Sequence, residues 1–146
     1  MPAPSGPFTL TAKADRIDRL AAGGFLLVDY KTGSLPSKKE VKSGFAPQLP
    51  LEGAILRDGS FGAVAGVPAA LEFWRLTGGV PVGERRPIGD NDLDNLIQKV
   101  LDRVRSLIEH FDDPAAPYLV EPVPHWAPRF SDYRHLERVA AREDEE

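Results

Sequence analysis

Three residues in the first quarter of the chain, Asp15, Asp29 and Lys31, have types and spacing that suit them to act together. Asp29 and Lys31 close an apolar run, "GFLLVDYKTG". Residues two apart in a strand share a face, so Asp29 and Lys31 point the same way as Phe25 and Leu27, while Val28 and Tyr30 point oppositely. By itself an Asp-x-Lys at a strand end is weak evidence, because a surface ion pair worth roughly 0–1 kcal/mol gives the same pattern. Asp15 changes the odds. It lies 14 residues before Asp29, and a hairpin folded at residues 21–24 sets it opposite or diagonal to Asp29. If the two carboxylates share a face, they repel unless they bind a cation or share a proton. Carboxylate oxygens with room for water suit Mg²⁺ or Mn²⁺. An ammonium beside them can hold a water or offset charge on a phosphate oxygen. That set fits metal-assisted phosphodiester hydrolysis.

Other chemistries find less support. The chain has no cysteine, so it can hold no disulfide, thiolate zinc site or iron–sulfur cluster of its own. His110, His125 and His135 show no HExxH or HxH spacing, and no GxxxxGK[ST] loop is present.

The elements that must position the three residues are readable in outline. Residues 8–20 are Thr-rich and loosely alternating, which predicts a strand, and residues 21–24, "AAGG", supply a tight turn into a second strand at 25–31. Ser37 with Glu40 three residues on is a capping box for a short helix ended by Gly44. A second helix starts near Pro47 and runs to about Arg57, with both Pro47 and Pro50 in its first turn. Residues 69–77 read as a third strand, ended by Gly78-Gly79. Apolar residues at three- and four-residue steps through residues 91–111 predict a long helix covering one face of the sheet. The order describes a mixed β-sheet flanked by helices, an α/β (α+β) domain. Residues 8–111 form the expected core. Residues 112–146 are a proline-rich extension expected to pack on it, with a last helix in "SDYRHLERVAARE" and a disordered acidic tail.

The pieces "ADRIDRL", "GFLLVDYKTG", "APQLPLEGAIL" and "LEFWRLTGG", in that order, resemble the PD-(D/E)XK nuclease domain of the RecB/AddB family, most closely the C-terminal nuclease domain of AddB subunits. The resemblance implies a restriction-endonuclease-like fold. It also implies Asp15 and Asp29 as ligands of Mg²⁺ (or Mn²⁺), with the backbone carbonyl of Tyr30 completing the sphere, and Lys31 as the catalytic lysine. Gln48 matches the glutamine of the family's "QL" helix, near the metal or the DNA backbone. Lys38 and Lys39 follow as substrate-binding cations. Only "MPAPSGP" precedes Phe8, so the family's upstream helix is expected to be missing and the isolated fragment's activity is left open.

Asp18 faces away from Asp15 and reads as a partner for Arg16 or Arg19, and Glu52, one turn after Gln48, reads as a surface residue. Trp74 and Phe73 read as core or interface residues, and Trp126 and Tyr133 as packing the tail onto the domain. The three histidines read as surface groups. Net charge is −4, but residues 1–60 hold 8 Lys/Arg against 6 Asp/Glu, so a polyanion would meet the first half. The expected function is that of a Mg-dependent DNA exonuclease domain acting in double-strand break repair. Its expected partners are single-stranded DNA ends and an AddA-like helicase–nuclease subunit. A catalytically inactive DNA-binding or scaffolding module and a free-standing RecB-like exonuclease are the alternatives. No apolar run reaches the ~20 residues that cross a bilayer, so a cytoplasmic protein without membrane partners is expected.

Overall fold

A computed structural model describes residues 1, 3–89 and 92–118 of the chain. It divides into two units, Met1–Asp112 and Asp113–Glu146. Of the second unit only residues 113–118 are described, beginning with a turn in which the Ala116 N–H donates to the Asp113 carbonyl at 3.0 Å. The expected tail packing, last helix and acidic terminus, with His125, Trp126, Tyr133 and His135, lie outside the described residues.

The first unit is a four-stranded mixed sheet with helices against one face: β1 (Arg16–Arg19), β2 (Phe25–Lys31), α1 (Lys38–Lys42), α2 (Gln48–Arg57), β3 (Pro68–Leu76), β4 (Gly83–Ile88) and α3 (Leu93–Phe111). Sheet order is β1-β2-β3-β4. β1 and β2 pair antiparallel with Arg16 opposite Val28. β2 and β3 run parallel, Asp29 beside Phe73 and Lys31 beside Arg75. The crossover between them carries α1 and α2, and β4 returns antiparallel to β3. A strand, two helices and a parallel strand form one crossover unit, which needs more residues than a hairpin.

The hairpin between β1 and β2 forms because Gly23 and Gly24 take φ of 96° and 75°, which other residues adopt at a cost. β1 is shorter than the sequence indicates. The Tyr30 N–H donates to the Asp15 side chain at 3.0 Å rather than to a facing backbone carbonyl. The ladder ends there, and residues 8–14 are irregular. β4 was not foreseen. Its sequence, Gly-Glu-Arg-Arg-Pro-Ile, has three charges and a proline, the composition of an edge strand protected against further pairing.

Period-2 alternation puts Phe25 and Leu27 of β2, Leu71 and Phe73 of β3, and Ile88 of β4 on one face. There they form a single core with Leu49 and Leu56 of α2, Val41 of α1 and Leu96 and Val100 of α3. α2 lies directly on the sheet. The expectation that the long helix covers the sheet needs correction. Only Leu96, Ile97 and Val100 of α3 are buried, and the helix leans mainly on α2, where Ile97 approaches Gly53 so closely that a Cβ there would sit 3.0 Å from it. Leu107 and Phe111, in the last turns, stay exposed.

The other face of the sheet carries a different cluster. Trp74 lies between two guanidinium groups, Arg16 and Arg85, at 5.2 and 5.1 Å from its ring. Its indole N–H donates to Glu72. Arg85 reaches the same carboxylate through two hydrogen bonds of 2.9 and 2.8 Å. Arg16 also pairs with Asp18 at 2.8 Å, the partnership expected of Asp18.

Candidate active site

β2 brings Asp29 to the end of the sheet with its side chain on the core side, beside Phe73 of β3. The alternation that buries Leu27 therefore buries Asp29 as well, to 2% exposure. A buried carboxylate is costly unless compensated, and Lys31, two residues on and on the same face, supplies the compensation. Its Nζ lies 2.8 Å from Asp29 Oδ2 and 5.8 Å from the centre of the Phe73 ring. That oxygen is buried and neutralised by the ammonium charge.

α2 completes the cluster. Lys31 Nζ donates to Gln48 Oε1 at 3.2 Å. Gln48 Nε2 donates to Glu52 Oε1, also at 3.2 Å. Glu52 is 1% exposed, not the surface residue its charge implied. The side chain sits one turn after Gln48 on the face of α2 that meets the sheet. Its second oxygen, Oε2, is buried with no partner among the described residues. Burial pushes the Glu52 carboxyl above the usual carboxylate range; the hydrogen bond from Gln48 opposes this, Asp29 and Asp15 add to it, and Lys31 opposes it.

Asp15 precedes β1. With Arg16 opposite Val28, Asp15 is the next residue out, level with Asp29, and it shares the parity of Ile17, which packs against the core. Its Oδ2 accepts the Tyr30 N–H, which fixes the carboxylate against the Asp29–Tyr30 peptide. The structure brings Asp29, Lys31 and Gln48 into contact and sets Asp15 beside them through the Tyr30 N–H. Lys38 and Lys39 stand at the start of α1, beyond the loop that leaves β2, with Ser37 as the capping residue, its Oγ accepting the Glu40 N–H at 3.2 Å. That loop is tied to β4, because Arg86 donates to the carbonyls of Leu35 and Pro36 at 2.9 and 3.2 Å. Glu84 pairs with both Arg86 and Arg75 at 2.7 and 3.2 Å. The overlooked strand therefore anchors the segment that follows Lys31.

Among the described residues, no three His, Asp or Glu side chains converge closely enough to hold a metal ion by themselves. The donor set nonetheless fits a hard divalent ion that keeps several of its waters. The Asp15 and Asp29 donors are all carboxylate oxygen, and the Tyr30 N–H holds the Asp15 carboxylate beside Asp29.

A family model of the PD-(D/E)XK nuclease superfamily matches residues 3–122. The chain belongs to that superfamily. The PD-(D/E)XK assignment accounts for the mixed four-stranded sheet flanked by helices, and it implies phosphodiester hydrolysis with a divalent metal ion. Among curated proteins, a 48-residue stretch is 42% identical to uncharacterized proteins of Rickettsia conorii and Rickettsia felis, covering 33% of this chain and 6% of each relative. A protein of Rickettsia bellii matches over the same length at 40% identity. The PD-(D/E)XK chain thus aligns with a small part of much longer relatives. No solved structure matches it. No helix among the described residues is long and apolar enough to cross a membrane.

Proposed function

We propose that the chain is the nuclease domain of an AddB-like subunit, a Mg²⁺-dependent deoxyribonuclease that trims single-stranded DNA ends in double-strand break repair with an AddA-like helicase–nuclease partner in the cytoplasm. The observation that carries the reading is the pair at the end of β2. A carboxylate 2% exposed lies 2.8 Å from an ammonium that is itself hydrogen-bonded to Gln48. Such a pair is expensive to bury and does little for stability, so its placement at an open sheet end beside a second aspartate is best explained by chemistry.

In this reading Asp15 and Asp29 would hold the cation, with the Tyr30 carbonyl beside them. Held there, a divalent ion would supply an activated water and polarisation of the phosphoryl group. The Lys31 ammonium offsets the negative charge that develops on the phosphate oxygens. Gln48 keeps the ammonium from collapsing wholly onto Asp29, because its amide oxygen draws Nζ from the other side. Lys38, Lys39 and Lys42 follow the site along the loop and α1, where they favour a phosphate backbone. Contacts made through phosphates position a strand but carry no sequence information, so cleavage is expected to be indifferent to sequence.

The test is Mg²⁺-dependent release of nucleotides from end-labelled single-stranded DNA, with Asp29→Ala alongside and RNA of the same sequence as control. Metal-dependent cleavage of DNA that Asp29→Ala abolishes supports the reading. Binding of DNA without cleavage, in both this chain and one extended at its N-terminus, establishes the inactive-module alternative instead. Co-purification of the longer protein with a helicase-bearing subunit tests the partnership.

A further inference from the structure

Glu52 has no part in the mechanism above, yet it is more deeply buried than any other charged residue described. It sits in the middle of α2, flanked along the helix by Leu49 and Leu56, both fully buried. The next residue, Gly53, is pressed against Ile97 and Leu71. A carboxylate kept in such a place for the fold's sake would have both oxygens satisfied. Here one oxygen accepts from Gln48 and the other accepts from none of the described residues.

The chemistry of Gln48 explains what a carboxylate does there that a neutral side chain would not. A glutamine amide has an accepting end and a donating end of nearly equal size, and either can face a given neighbour. Glu52 Oε1 accepts from the Nε2 end of Gln48 and so draws that end toward itself. That leaves Oε1 pointing at Lys31, whose ammonium only donates. The sequence Lys31 Nζ to Gln48 Oε1 and Gln48 Nε2 to Glu52 Oε1 is thus polarised in one direction, with both links at 3.2 Å.

We propose that Glu52 is a positioning residue of the site: by fixing which end of the Gln48 amide faces Lys31, it holds the ammonium aimed beside Asp29. The catalytic consequence rests on the nuclease reading; the orientation of Gln48 does not. Glu52→Gln keeps the shape and removes the discrimination, because a glutamine at that position can present either end to Gln48.

Two measurements on the whole chain decide it. The first is the side-chain amide signal of Gln48 in ¹H–¹⁵N NMR, assigned by its loss in Gln48→Ala. In the native protein the two Nε2 protons should be well separated and slow to exchange, and in Glu52→Gln they should move toward solvent-like values. The second is a kinetic cycle of Glu52→Gln, Gln48→Ala and the double variant. Misaiming a catalytic group by about 1 Å costs up to roughly 100-fold, so each single variant should lose about 10- to 100-fold in kcat with KM for DNA unchanged. The double variant should lose no more than Gln48→Ala alone. Unchanged Gln48 signals in Glu52→Gln, or losses that multiply in the double variant, overturn the proposal. If Glu52→Gln does not fold, the native signal decides alone, and averaged, rapidly exchanging Gln48 protons refute it. If the native chain cleaves nothing, the nuclease reading falls, while the NMR arm still judges Glu52.

Discussion

Replacing Lys31 by methionine separates the electrostatic role of the ammonium from its bulk. In the native site Asp29 is buried and Lys31 Nζ lies 2.8 Å from it. Removing one partner of a fully buried pair costs about 3–5 kcal/mol, because the other charge is left uncompensated. The Lys31 side chain is 32% exposed, so water already screens part of the interaction and reaches Asp29 more easily once the ammonium is gone. The expected loss is therefore about 2 kcal/mol. For a chain of this length that corresponds to a melting temperature lower by roughly 8 °C. The assay is thermal unfolding of native protein and Lys31→Met in EDTA, repeated in millimolar Mn²⁺.

The metal arm gives the sharper result. A cation at Asp15 and Asp29 is repelled by the Lys31 ammonium, so taking that charge away should tighten metal binding by roughly tenfold, about 1.4 kcal/mol. Binding to the folded state alone raises stability in proportion to the logarithm of metal over Kd. Mn²⁺ should therefore stabilise Lys31→Met by more degrees than it stabilises the native protein, and should not stabilise Asp29→Ala at all. Nucleolytic activity should be lost in Lys31→Met despite the tighter metal. The reasoning is refuted if Lys31→Met melts with the native protein in EDTA, or if Mn²⁺ raises both by the same amount.

On the opposite face, hydrogen bonds from Arg85 and then Trp74 hold the Glu72 carboxyl below its usual range. A depressed carboxylate adds stability above the unfolded-state pKa of about 4.3 and loses it as pH falls through the lower folded value. Arg85 is 64% exposed, so native protein should exceed Glu72→Gln by only about 1 kcal/mol at pH 7, with the gap closing as pH falls through the depressed folded-state value in denaturant titrations. Gly66→Ala should destabilise by about 1–3 kcal/mol in the same assay, because Gly66 has φ of 156° and a Cβ there would lie 2.5 Å from a ring carbon of Phe25. Lys38→Ala and Lys39→Ala should each weaken DNA binding with little dependence on sequence, and each should lower the slope of log affinity against log salt by about one, read by fluorescence anisotropy.

Much of the site was legible because it obeys a two-residue rule. Alternation in β2 fixes Asp29 and Lys31 on one face whatever the rest of the fold does, and the glycines at 23 and 24 dictate the turn that brings Asp15 alongside. β4 was not legible, since an edge strand protected by charge has the composition of a loop. β1 misled in the other direction. The side chain of Asp15 takes the Tyr30 N–H, and a hydrogen bond from a side chain leaves no trace in a pattern of apolar residues.

Glu52 was missed for a reason that can be stated as a rule about its helix. Charged residues read as surface because most helices have a wet stripe, but α2, "QLPLEGAILR", has almost none: Leu49, Pro50, Gly53, Ala54 and Leu56 are buried around Glu52. A helix that is apolar nearly all round is a buried helix, so a single charge in its middle is a buried charge and requires a partner. Gln48, one turn earlier on the same face, is the residue within reach, and the partner of Gln48 is Lys31. The two carboxylates that violate the apolar rule, Asp29 in the strand and Glu52 in the helix, thus lead from separate elements to the same ammonium. Two independent burials at unfavourable cost, ending on one lysine, are hard to derive from the needs of folding and follow directly from the needs of a site.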